Sequence, residues 1–167
     1  MSTVASFQIV LILATLLCSL VAGLLFAFAS VVMPGISQLN DREFIRAFQA
    51  IDGMIQNNQP VFIAVWVGSI VALLAAAGLG IGLLEGTQRL LLISAPLLYI
   101  LGVQLSTFTI NVPLNNQLQT LHVDKMGETA LKAARLHFEP RWNQWNVNRT
   151  LLASLTSILL MVLLLQL

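Results

Sequence analysis

Val61-Phe-Ile-Ala-Val-Trp-Val-Gly-Ser-Ile-Val-Ala-Leu-Leu-Ala-Ala-Ala-Gly-Leu-Gly-Ile-Gly-Leu-Leu84 contains no charged side chain. At 1.5 Å per residue, a helix of this length crosses the roughly 30 Å of hydrocarbon in a bilayer. A lone strand is excluded there, because lipid offers no partner to unpaired backbone groups. After only Glu85-Gly-Thr-Gln88, a second apolar run begins at Arg89 and lasts to Ile110. So short a connector makes the two helices antiparallel neighbours. Outside this pair lie two more apolar runs, at about 6–33 and 147–167. Charged residues are 9% of the chain and mean hydropathy is +0.87, against about 25% charged in soluble domains. These features predict an all-α, integral membrane four-helix bundle. It is a single domain spanning 1–167, with helices at about 6–33, 61–84, 89–110 and 140–167 and amphipathic helical loops on one side.

The bundle carries its own packing signals. Thr15, Ser19, Gly23 and Ala27 recur every four residues, as do Gly68, Ala72, Ala76 and Gly80; Ser94, Gly102 and Ser106 share a third stripe. Small side chains let helices approach closely in lipid. Ala27-Phe28-Ala29 loosely resembles a signal cleavage site. The first Lys or Arg is Arg42, however, and the apolar run is too long for a signal core, so the segment reads as a retained membrane helix. Cys18 is the single cysteine, which excludes a disulfide framework. A net charge of +1 points to no nucleic-acid partner.

The loops hold the polar specificity. Pro34-Gly35 is expected to end the first helix, and Asn40-Asp41 to start an amphipathic one with Phe44, Phe48, Ile51 and Ile55 on its apolar stripe. Asp52 lies beside that stripe, either as a solvated acid or as a carboxylate turned into the mouth of the bundle. Pro113 is expected to close the third helix. Glu128 and Lys132 support a short helix near 127–138, and Pro140 suits the first turn of the last helix. Seven Lys/Arg side chains (Arg42, Arg46, Lys125, Lys132, Arg135, Arg141, Arg149) stand on the long-loop side against Arg89 on the other. This asymmetry predicts cytoplasmic long loops, with both termini outside.

Candidate site residues gather in Asn111-Val-Pro-Leu-Asn115 and Glu139-Pro-Arg-Trp-Asn-Gln-Trp-Asn-Val-Asn-Arg-Thr150. Asn111 and Asn115 can cap a turn or line a polar cleft. Trp142, Trp145 and Arg149 fall on one helical stripe. The tryptophans read as an interfacial belt or as walls of an aromatic pocket; Arg149, beside Asn148, reads as a snorkelling residue or as one that holds an anion. Asp52 and Glu139 are the general-base candidates by position. His122 and His137 show no recognised metal spacing, so no metal site is expected. No dinucleotide glycine pattern, phosphate loop, CxxC or HExxH motif occurs, and the sequence leaves any cofactor unassigned.

Asn111-Val-Pro-Leu-Asn115, Arg141-Trp-Asn-Gln-Trp-Asn146 and Asn148-Arg-Thr150 resemble the anthrone oxygenase-like family of small four-helix membrane proteins. Phe28-Ala-Ser30 through Met33-Pro-Gly35 and Phe48-Gln-Ala-Ile-Asp52 extend the similarity over nearly the whole chain. The family includes bacterial domains of unknown function, and fungal members that oxidise an anthrone to an anthraquinone without a familiar cofactor motif. The resemblance implies a bacterial inner (plasma) membrane. It also implies an oxidoreductase or oxygenase for a membrane-soluble aromatic or quinone-like substrate. Asp52, Asn111, Pro113, Asn115, Trp142, Trp145, Asn148 and Arg149 match the family's motifs, which assign none of them a role. The alternative is a non-enzymatic scaffold, lipid-binding unit or partner subunit. Expected partners are membrane lipid, a hydrophobic aromatic small molecule and a second copy of the chain.

Overall fold

The computed structural model describes residues 2–167. Five helices account for most of them: α1 (Thr3–Ile36), α2 (Asp41–Gln56), α3 (Pro60–Gly80), α4 (Gly86–Gln119) and α5 (Glu128–Leu165). No strand occurs among the described residues. All but α2 are long and apolar enough to cross a membrane. α1 packs on α3 and α5, α4 packs on α5, and α3 meets α4 near their shared turn. The result is the expected all-α membrane bundle, with α2 folded across the end that carries the long loops.

Two apolar cores stack along the bundle. The transmembrane core holds Phe7, Leu11, Ala14, Cys18, Leu73, Tyr99, Leu160 and their neighbours. At the loop end, Met33, Phe44, Phe48, Leu114, Leu118, Leu131, Phe138 and Trp142 form a second core beneath α2. Asn40 caps α2 by accepting the Glu43 N–H at 2.9 Å. Arg42 then reaches the Met126 carbonyl and Glu128, both at 2.9 Å, and ties α2 to the start of α5.

Three expectations are corrected. Pro113 does not close the third helix; Pro34-Gly35 does end the first, at Ile36. Each proline follows a π-helical turn, Thr107–Asn111 and Phe28–Val32 respectively, and the third helix runs on to Gln119. A proline removes one backbone donor, and the wider π turn absorbs the resulting misfit. Hydroxyls take up carbonyls in these stretches: Ser30 donates to Phe26 at 2.7 Å, and Thr109 to Leu105 at 2.7 Å. Secondly, the last helix starts at Glu128, not at Pro140. The separate short helix near 127–138 and the membrane span are one helix that passes through Pro140.

Thirdly, the Thr15/Ser19/Gly23/Ala27 ridge is not the main contact face of α1. A Cβ on Gly23 would meet nothing within 4 Å, and of the four only Thr15 belongs to the buried face of Phe7, Leu11, Ala14, Thr15, Cys18, Val21, Ala22 and Leu25. The Gly68–Gly80 ridge does pack. A Cβ on Gly80 would lie 2.4 Å from Phe7 and 2.8 Å from Leu92.

Candidate functional site

Where the two cores meet, the helices leave a cavity of about 310 Å3, at the lower end of small-molecule sites. All five helices contribute to its lining. Leu24, Leu25 and Phe28 come from α1, and Phe48, Asp52 and Ile55 from α2; Phe62 and Trp66 come from α3, Thr107, Asn111 and Asn115 from α4, and Trp142, Asn146 and Arg149 from α5. Two π-helical turns supply Phe28, Thr107, Phe108 and Asn111 to the wall. Such a turn shifts helical register by a residue and so re-aims side chains.

The aromatic walls are continuous. Trp142 lies 5.7 Å from Phe28 and 5.5 Å from Phe48, measured between ring centroids. On the facing helix, Phe62 stacks on Trp66 at 5.4 Å. The Trp66 indole donates to Gln104 Oε1 at 2.9 Å, which fixes its plane.

Two charges face this cavity, and the structure pairs neither with an opposite charge. Asp52 is 3% exposed. Its Oδ1 accepts from Asn115 at 2.8 Å, and its Oδ2 from Gln56 at 2.7 Å and Gln119 at 3.0 Å. Asn115 in turn accepts the Trp142 indole N–H at 2.7 Å, so the carboxylate and the aromatic wall share one network. Arg149 is 4% exposed. It donates to Thr107 Oγ1 at 2.9 Å and Asn146 Oδ1 at 3.0 Å, and its Nε has no partner. Its guanidinium sits 5.8 Å from the Trp142 ring centroid. Nearby, Asn111 donates to the Trp142 carbonyl at 3.3 Å, leaving its own side-chain oxygen unpartnered. An unpaired buried guanidinium is costly, as is each buried polar atom without a hydrogen bond. A ligand oxygen in the cavity would accept from Arg149 Nε, and a ligand hydroxyl could in addition donate to Asn111 Oδ1.

A family model described as anthrone oxygenase matches residues 54–159 of the 167. The chain belongs to the anthrone oxygenase family. No curated protein matches it, and no solved structure does. The span matching the anthrone oxygenase model holds the cavity residues of α3, α4 and α5, Arg149 among them. It stops short of Asp52, whose place in the site rests on geometry alone.

Of the residues singled out from sequence, Asp52, Asn111, Asn115, Trp142 and Arg149 line this one cavity. Trp145, Asn148 and Glu139 do not. Trp145 is half-buried and Asn148 exposed, both on other faces of α5. Glu139 accepts from Arg135 Nε at 2.6 Å and borders a separate groove beside Pro34 and Asn143.

The inward stripe of α5 is Trp142, Asn146, Arg149, Ala153, Thr156, Leu160 and Leu163. Alternating steps of four and three define that stripe, and extending it backwards from the apolar run would have found Asn146. Trp66, Phe28, Thr107, Gln56 and Gln119 were also missed. The aromatic pair and the threonine lay within runs that read as plain membrane helix. Among the described residues, no three His, Cys, Asp or Glu side chains converge on a position that could hold a metal ion.

Proposed function

We propose that this protein is a membrane oxygenase that converts an anthrone-like aromatic ketone to the corresponding quinone, using molecular oxygen. One observation carries the proposal. Among the described residues, the aromatic-walled cavity contains one carboxylate, Asp52, and one cation, Arg149, neither paired with an opposite charge. Family membership supports the reading.

An anthrone carries a CH2 group flanked by two aromatic rings and opposite a ketone. Loss of one of its protons gives an anion whose charge rests largely on the ketone oxygen. Arg149, with its free Nε–H, stabilises that oxygen. Asp52 is the proton acceptor, held in place by three amides. Trp142, Phe28 and Trp66 contact the ring faces, and Asn111 and Asn115 orient oxygen atoms. The anion then reacts with O2 at the deprotonated carbon. One oxygen atom stays as the new carbonyl, and the other leaves as water with the two hydrogens of the former CH2 group. Anthrone plus O2 thus gives anthraquinone plus water. The excess of Lys/Arg on the long-loop side, seven against one, supports a site at the cytoplasmic face.

The test is oxygen uptake by purified protein in lipid with an anthrone, using 18O2 and mass spectrometry of the quinone. The expected result is one labelled oxygen per product and loss of the protein-dependent rate in Arg149→Ala. Equal rates in variant and wild type would sink the proposal.

A further inference from the structure

We infer that the cavity opens sideways into the bilayer between α3 and α4, and draws its ligand from among the acyl chains. The inference rests on the preceding section only for the ligand's identity.

The helix backbones themselves form the opening. α3 packs closely on Gly86–Leu97 of α4, next to the turn, and less closely on the π-helical turns further along at Leu98–Gln104 and Thr107–Asn111. Side chains bridge the widening gap. Ser69 and Tyr99 hydroxyls meet at 2.7 Å, and then Trp66 meets Gln104 at 2.9 Å. Beyond Trp66 no hydrogen bond joins the two helices among the described residues. There Ile63, Val67 and Phe108 line the cavity and are also 37%, 50% and 60% exposed. At these three positions the wall between the cavity and the outer surface is one side chain thick. All three are apolar, and they sit on helices whose outer surface faces lipid. Ile63 and Val67 lie about 5 and 10 Å along α3 from Pro60, at the depth of the upper acyl chains.

α1 packs against both α3 and α5. Across the loop end, α2 places Phe48 and the Asp52–Asn115–Gln119–Gln56 network. The loop-end route to Trp142 thus meets polar groups, with Gln56 exposed to solvent, whereas between α3 and α4 a flat hydrocarbon meets three apolar side chains. The matching ligand is a planar aromatic molecule that partitions into lipid, with one acidic or ketonic oxygen leading towards Arg149.

Trp142 is 4% exposed on the far wall, so it reports on which side quenchers arrive from. The test uses the full chain in lipid nanodiscs with Trp66→Phe and Trp145→Phe, leaving Trp142 as the sole tryptophan. An uncharged lipid-soluble nitroxide is compared with aqueous acrylamide. We expect the nitroxide to quench Trp142, acrylamide to be at least tenfold less effective, and Ile63→Phe/Val67→Phe to cut nitroxide quenching at least fivefold. Equal quenching by acrylamide, or no effect of narrowing the mouth, would overturn the inference. If that variant does not fold, Thr107→Cys in a Cys18→Ser background gives the same comparison with a lipid-soluble and a charged thiol reagent. No anthrone is used, so a protein inert towards anthrones would remove the catalytic reading and leave this one standing.

Discussion

Arg135 and Arg149 lie on the same helix in opposite circumstances. Arg135 donates to Glu139 at 2.6 Å and Asp41 at 3.1 Å, and to the carbonyls of Leu39 at 2.9 Å and Ser37 at 2.8 Å. Its guanidinium covers Phe44, 4.4 Å from the ring centroid. Every nitrogen is used, and the residue pins the α1–α2 corner to α5. Arg149 is more deeply buried, has no carboxylate, bonds two neutral oxygens and leaves Nε bare. A protein builds the first arrangement to hold itself together. The second costs stability in the empty state and is repaid only when something anionic or strongly polar arrives.

The largest expected effect tests this contrast directly. Arg149→Ala should lower anthrone turnover by about 100-fold or more, since truncating one partner of a buried charged pair costs about 2–5 kcal/mol. Arg135→Ala should leave turnover per folded molecule within about threefold. Oxygen uptake normalised to folded protein decides it, and the contrast breaks if the two fall together. Asp52→Asn comes next. The three amides all donate to this carboxylate, and an amide offers them only one acceptor oxygen. We expect turnover to drop by about 30-fold, with about 1–3 kcal/mol of stability lost to the stranded donor. By contrast, Asp41→Asn, beside the well-paired Arg135, should barely change turnover.

Stability should separate the arginines with opposite tendencies. Arg135→Met strands two carboxylates and two carbonyls, and should lower stability by about 2 kcal/mol. Arg149→Met replaces an unpaired buried charge with an apolar chain of similar length; its thermal midpoint in mild detergent should stay level or rise. A clear fall would mean that Arg149 already has the partners it needs, and the argument for a ligand would go with it.

How much of this was legible in sequence follows from where the signals lie. Four spans can be read from Val61–Leu84 and its counterparts, because hydrocarbon tolerates little else. Helix ends were harder. Pro34, Pro113 and Pro140 each read as a boundary; the first helix does end at Ile36, but Pro113 and Pro140 were passed through. A π turn or a long helix absorbs a proline at the expense of one hydrogen bond, and nothing local announces that choice. Asp52 could be placed beside the apolar stripe of α2. Its burial depended on Gln119 and Asn115 arriving from a helix that runs on past Pro113. Trp66 and Thr107 carried no signal, because aromatic and hydroxyl side chains are ordinary inside membrane helices.

The smallest effect sharpens which tryptophan belongs to Arg149. Spacing alone allowed Trp145, one turn away. The structure pairs the guanidinium with Trp142, two turns away, since the inward stripe runs 142, 146, 149. Trp142→Phe keeps a ring but loses the indole donor to Asn115. It also weakens the cation–ring attraction, worth about 0.5–2 kcal/mol according to burial. Together these should lower turnover by about five- to tenfold. Trp145→Phe removes a half-buried ring that lines no part of the cavity, and should change stability by less than about 0.5 kcal/mol and turnover by less than twofold. If Trp145→Phe were the more damaging, the outer face of α5 would hold the ligand, and the cavity between the two cores would be a packing defect beside it.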